Sequence, residues 1–147
     1  MLERRHRDYL LERHQLPEPR LSLGVSLRGV ASAALDISDG LIADLGHICA
    51  SSGVGAAIRA GDVPFSAAAQ AALSEQPAVL STLLTAGDDY ELCFTLPADR
   101  RDALSSAVAS AGVAVRQIGE IVAGDGVRVA GLDGAPLSIA RPGYRHF

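Results

Sequence analysis

Two short stretches of this chain concentrate residues with chemistry to offer. The first is Asp36-Ile37-Ser38-Asp39-Gly40, with Asp44 one helical turn further on. Two carboxylates and a hydroxyl in one turn supply hard oxygen ligands for a divalent cation. Where a strand turns into a helix, the amides of the first helical turn point outward and favour an anion. Together these groups suit a magnesium ion bridging to phosphate. The plainer reading makes Ser38 or Asp39 the helix cap, Asp36 an exposed turn residue and Asp44 a solvated surface carboxylate.

The second stretch is Ala86-Gly87-Asp88-Asp89-Tyr90-Glu91-Leu92. Adjacent carboxylates repel each other unless a cation or a donor network satisfies them. Glycine at 87 permits a close approach of backbone to a ligand. Because strand side chains alternate, Asp88 and Tyr90 need not share a face with Asp89 and Glu91, so one pair can face a site while the other serves the fold. A polar lead into a strand, held by turn chemistry, is the alternative.

Other candidates carry less. His47, between Gly46 and Ile48, reads as a packing or surface residue of a helix. Cys49 falls on an apolar stripe and reads as a small core residue. Cys93 has no nearby histidine or second cysteine in the sequence to make it a nucleophile. The ending Gly143-Tyr144-Arg145-His146-Phe147 is unusually aromatic for a tail and is expected to dock back onto the body.

The elements that must position these groups follow from periodicity. Residues 3–14 read as a short polar helix, stopped by Pro17 and Pro19. A second short helix covers about 21–29, and Ala33 to Ile37 is a buried strand. Leu41, Ile42, Leu45, Ile48 and Cys49 form one apolar helical stripe, with Gly53 as the residue that ends it. Gly55–Ile58 reads as a strand, and 65–73 and 77–85 as helices. Tyr90, Leu92, Phe94 and Leu96 alternate with Glu91, Cys93 and Thr95, the period of a half-buried strand. Pro97 opens a helix of about 98–111 that Gly112 ends. Strands are expected at 113–122, 127–130 and 136–139, separated by Gly124-Asp125-Gly126 and Asp133-Gly134. The pattern predicts an α+β domain, a layered α/β sandwich with a mixed, largely antiparallel sheet.

Composition narrows the function. The chain has 147 residues, 48% hydrophobic and 20% charged, enough for one compact core and too apolar for disorder. No apolar run is long enough to span a membrane, and the charged N-terminus has no secretory signal. Two cysteines make neither a disulfide framework nor a zinc cluster, which fits a cytoplasmic setting. The formal net charge is −4, and all 13 basic residues are arginine. With no lysine, a phosphate-binding P-loop lysine, a Schiff-base lysine and a kinase-type strand lysine are excluded within this chain. Arg4, Arg5, Arg7, Arg13, Arg20 and Arg28 crowd near the start, interleaved with Glu3, Asp8, Glu12 and Glu18. That reads as a salt-bridged helix face and not as a nucleic-acid arm.

Taken together, Leu35-Asp36-Ile37-Ser38-Asp39-Gly40-Leu41, Asp44-Leu45-Gly46-His47-Ile48, Gly87-Asp88-Asp89-Tyr90-Glu91-Leu92 and the ending Gly-Tyr-x-His-Phe resemble thiamine-monophosphate kinase. The lead-in Arg13-x-x-x-Pro17-x-Pro19-Arg20 belongs to the same resemblance, which runs over nearly the whole chain. Each motif alone is weak, and the combination is specific. The family is part of the group related to aminoimidazole-ribonucleotide synthetase and selenophosphate synthetase, whose C-terminal domain is an α/β sandwich of the kind expected above.

The resemblance implies transfer of a phosphoryl group from ATP to thiamine monophosphate, giving thiamine diphosphate, with several magnesium ions. It implies Asp36 and Asp39 as metal ligands, Ser38 at the nucleotide, and Asp88 and Tyr144 at the thiamine-phosphate substrate. Metal ions and carboxylates would then manage phosphate charge in place of a lysine. The family usually has Glu where this chain has Asp88, so the carboxylate is kept with one methylene fewer. Residues 1–20 correspond to the end of an interdomain connection and 21–147 to a C-terminal domain. The N-terminal domain, with the family's dimer and ATP site, has no counterpart. The chain is therefore expected to be a fragment, a truncated gene product or one domain of a split enzyme, inactive alone and homodimeric in the complete enzyme. A non-catalytic assembly or binding domain, or another member of the same superfamily, are the alternatives.

Overall fold

The computed structural model describes residues 2–144. Helix α1, Arg4–Gln15, ends where Leu16 leads into the two prolines, and α2, Leu21–Ser26, is shorter than its apolar spacing predicts. Strand β1, Ala33–Asp36, feeds α3, Leu41–Ser52, the best-defined helix. Its whole apolar stripe of Leu41, Ile42, Leu45, Ile48 and Cys49 is buried. Gly53, at φ 65°, ends α3 in the left-handed region, where a side chain would be strained.

Strand β2 is Gly55–Arg59 and helix α4 is Ala67–Glu75, capped by the Ser66 hydroxyl accepting from Ala69 N at 3.2 Å. Residues 77–85, expected as one helix, form a 3₁₀ turn followed by α5, Leu80–Thr85. Strand β3 is Leu92–Thr95 and helix α6 is Arg101–Ala111, preceded by a 3₁₀ turn and ended by Gly112 at φ 66°. Strands β4, Gly119–Val122, and β5, Val127–Ala130, complete the order.

The strands form two small sheets. In one, β1 and β3 run antiparallel, with Leu35 opposite Cys93 and Asp36 opposite Leu92. In the other, β2 is central, antiparallel to β4 and parallel to β5. Helix α3 packs against strands of both sheets, so it is the shared wall of the core. The core joins its stripe to Ala56, Ile58 and Val129 from one sheet, Cys93 from the other, and Leu80 and Leu84 from α5. This is the expected α+β layering with mixed and antiparallel pairing.

Two expected strands shrink. Residues 113–118 make no ladder, and pairing starts only at Gly119. The segment 136–139 is reduced to a bridge between Ala130 and Pro136 and one bond from Leu137 N to Val129 O at 2.8 Å. Pro136 has no N–H to donate, which stops a ladder at its first rung. Apolar alternation is present in both stretches, but only pairing makes a strand. Among the described residues, no helix is long and apolar enough to cross a membrane.

Candidate functional site

The turn between β1 and α3 is shaped from within. Asp44, 4% exposed, directs Oδ2 back toward the turn, where it accepts from Ser38 N at 3.0 Å, Asp39 N at 3.0 Å and Gly40 N at 3.1 Å. Neither Ser38 nor Asp39 acts as the helix cap; Gly40 holds that position without a side-chain bond. The surface role read for Asp44 is thus replaced by a buried structural one. A carboxylate accepting three amides is well satisfied despite burial. It also occupies the anion seat that the turn amides were expected to offer. Gly40 adopts φ 117°, and a Cβ there would stand 2.5 Å from Thr85 O.

Two other segments close on this turn through backbone bonds. From the loop after α5, Asp88 N donates to Ser38 O at 3.0 Å, and Asp89 N and Tyr90 N donate to Ile37 O at 3.1 and 3.2 Å. Ile37 N donates in return to Glu91 O at 2.8 Å. Gly87 lies so close that a Cβ would stand 1.9 Å from Ser38 O. Asp88 and Tyr90 take φ 64° and 56°, left-handed values that non-glycine residues adopt only when the surroundings enforce them. From the other side, Tyr144 N donates to Asp39 O at 3.0 Å, and Gly143 sits against Asp39 and Ala43. The start of the terminal pentapeptide therefore docks on the site, as its composition led one to expect. Arg145, His146 and Phe147 lie outside the described residues.

Charge is unevenly balanced across these segments. Glu91 is gripped by Arg20, with Nε to Oε2 at 3.0 Å and Nη2 to Oε1 at 2.7 Å. Arg13 Nη2 lies 3.9 Å from the same carboxylate, and Glu18 accepts from both arginines. The hydrogen bond to Glu91 raises the Arg20 guanidinium further above its ordinary range. Asp89 has no such cation among the described residues. It keeps an exposed edge, yet protein packed around its carboxyl pushes it up to about 6, and the charges of Glu91 and Asp88 add to the rise. Beneath the site, burial pushes the Cys93 thiol up to about 11, with the charges of Asp44 and Cys49 adding to it. Burial raises the Cys49 thiol as well, so both are inert core thiols and not nucleophiles.

The structure thus brings Ser38, Asp39, Asp88 and Tyr144 to one place through three chain segments. Asp36 stands at the end of β1, exposed, on the ladder face opposite the Leu35–Cys93 pair. The side chains of Asp36, Ser38 and Asp88 make no hydrogen bond or ion pair with the described residues. Asp39, Asp44 and His47 bring one ligand atom each to within 4.8 Å of one another. In the sequence Asp44 reads as a surface carboxylate and His47 as a packing or surface residue, although their spacing of three on one helix places them on the same face as the turn. Arg20, read as part of a salt-bridged helix face, instead stands between α1 and α2 and pairs with Glu91, a partner 71 residues away that nothing local announces.

Residues 3–131 match the family described as AIR synthase related protein, C-terminal domain. The chain belongs to that family. Among curated members, thiamine-monophosphate kinase of Escherichia coli K12 is 43% identical over 144 residues, which is 95% of this chain and 43% of that protein. Thiamine-monophosphate kinase of Caulobacter vibrioides is 39% identical over 140 residues, 93% of this chain and 40% of the relative. Among solved structures, the chain is similar to thiamine-monophosphate kinase from Stenotrophomonas maltophilia K279a, at TM-score 0.74 and 45% identity over 86% of this chain and 39% of that one. It is also similar to AaThiL complexed with AMPPCP and TMP, at TM-score 0.77 and 29% identity over 97% of this chain and 42% of that one. The chain spans less than half the length of these relatives.

This AIR-synthase-related domain carries Asp88, Asp39 and the weakly acidic Asp89 on the converging segments, with Asp36 exposed at the end of β1 that leads into the turn. Carboxylate oxygens are the donors that magnesium prefers, so the residues present fit that ion. The same oxygens repel one another, and any bound anion, unless cations intervene.

Proposed function

We propose that this chain is the C-terminal domain of a thiamine-monophosphate kinase, acting with an N-terminal domain to pass the γ-phosphoryl group of ATP to the phosphate of thiamine monophosphate. ADP and thiamine diphosphate would be the products. The observation that carries this reading is the convergence of the turn 36–40, the loop 87–91 and the segment 143–144, each holding a motif of the kinase resemblance. In this assignment Asp36 and Asp39 hold magnesium, Ser38 touches the nucleotide, and Asp88 and Tyr144 meet the thiamine-phosphate substrate. When bound, magnesium neutralises phosphate charge and aligns donor with acceptor.

The chain's own residues supply the frame. Asp44 fixes the turn so that Ser38 and Asp39 are presented in one geometry. The left-handed conformations at Asp88 and Tyr90 aim the substrate loop at that turn. Such preorganisation is what phosphoryl transfer needs most, since positioning and charge stabilisation supply most of its rate.

The test is thermal melting with and without magnesium and ATP on the wild type, Asp36→Asn and Asp39→Asn, with an N-terminal half supplied in trans. Each variant is expected to lose most of the ligand-induced rise in melting temperature, while its unliganded melting temperature stays level or rises slightly. If both variants keep the full rise, the metal assignment is wrong.

A further inference from the structure

The lead-in Arg13-x-x-x-Pro17-x-Pro19-Arg20 has no part in the assignment above, yet it touches the site. We propose that Arg20 is a positioning residue: by gripping Glu91 it sets the loop 87–90 against the turn 37–40. This deepens the proposed function, on which its link to substrate binding rests.

The argument starts from Glu91. Its main chain accepts from Ile37 N, so it is one of the rungs that tie the loop to the turn. Its side chain is held by the Arg20 fork through two parallel bonds of 3.0 and 2.7 Å. A bidentate guanidinium–carboxylate pair fixes direction as well as distance. Arg20 is itself restrained: its Nη1 donates to Glu18 at 3.2 Å, and its side chain is only 21% exposed. Pro17 and Pro19 stiffen the segment that delivers it. Anchor and loop are therefore joined by a rigid strut.

The loop needs one. Asp88 and Tyr90 hold unfavourable left-handed conformations, and Asp88, Asp89 and Glu91 put three carboxylates within four residues. Left alone, strain and repulsion favour an open loop. Arg20 opposes both, since it pins the far end and neutralises one charge of the three. Lysine would supply the charge without the planar fork.

Amide hydrogen exchange on the unliganded chain tests this. Arg20→Gln and Glu91→Gln are each expected to speed exchange at Ile37, Asp88, Asp89 and Tyr90 about tenfold. Ala56, Arg59 and Leu137, bonded in the other sheet, are expected to keep wild-type rates. Arg20→Lys should resemble Arg20→Gln, since it keeps the charge and loses the fork. Wild-type rates at the loop amides in both single variants would overturn the proposal. So would equal acceleration of loop and control amides, which marks a general loss of stability. Because no ligand is present, the result stands whichever way a thiamine monophosphate titration of the same variants goes, and failure of that titration alone counts against the proposed function.

Discussion

Asp44 and Asp89 are both carboxylates of the same site, and their surroundings give them opposite behaviour. Asp44 is buried but meets three amide donors, so removing it strands those donors, the Gly40 amide among them in buried surroundings. Asp44→Ala is expected to lower unfolding free energy by about 2–4 kcal/mol, and Asp44→Asn by about half as much, since one acceptor oxygen remains. Urea denaturation measures both, and a loss below about 1 kcal/mol for the alanine variant would contradict the role given to these bonds. Among the described residues the Asp89 carboxyl meets no donor. Its carboxyl stands at about 6 in the fold, above the ordinary value, so the folded state holds the proton more tightly than the unfolded chain. Its contribution is therefore fully favourable below the unfolded value and is lost as pH rises through about 6. Asp89→Asn should flatten that fall and leave the protein more stable at pH 7 by up to about 1 kcal/mol, a small figure because the group is open to screening. An unchanged pH slope of the urea midpoint in the variant would refute it.

At the scale of elements, the site depends on how closely a loop can lie on a turn. Gly87→Ala would place a Cβ 1.9 Å from Ser38 O, so the loop must lift. The expected cost is about 1–3 kcal/mol with helix content unchanged, read by thermal melting and circular dichroism. Near-wild-type melting would show that the loop yields freely. The same scale shows what the sequence made legible. Helix α3 was plain because its stripe, its glycine stop and its length all agree, and β1 and β3 stood out by short apolar or alternating runs. Residues 113–118 and 136–139 misled because alternation reports a face and not a partner. In β3 the deeply buried side chain is Cys93, while Leu92 and Phe94 lie on the other, half-buried face. Period two could not say which face wins. Within the site, the motif residues Asp36, Ser38, Asp39 and Asp88 were legible as chemistry, whereas Asp44 as the turn's keystone and Arg20 as a strut were not. Both depend on where side chains end up after folding.

The whole molecule has a further property that follows from its proportions. It spans 43% of the Escherichia coli relative, and under the proposed function it acts together with an N-terminal domain. The 147 residues alone are therefore expected to show no measurable turnover of ATP and thiamine monophosphate, with activity appearing when an N-terminal half is added. Turnover at an ordinary kinase rate from the chain alone would overturn that expectation. Consider last how the turn 37–40 is held. The β1–β3 ladder joins residues 33–36 to 92–95, Arg20 reaches Glu91 across 71 positions, and Tyr144 bonds Asp39. Contacts so distant along the chain must each overcome the entropy of closing a long loop, and they form late in folding. Helices such as α3 and α6, built from neighbours in sequence, have no such delay. A refolding chain should thus possess its helices before it possesses either its sheets or a site, so that the capacity to bind arrives only with the long-range pairings of the fold.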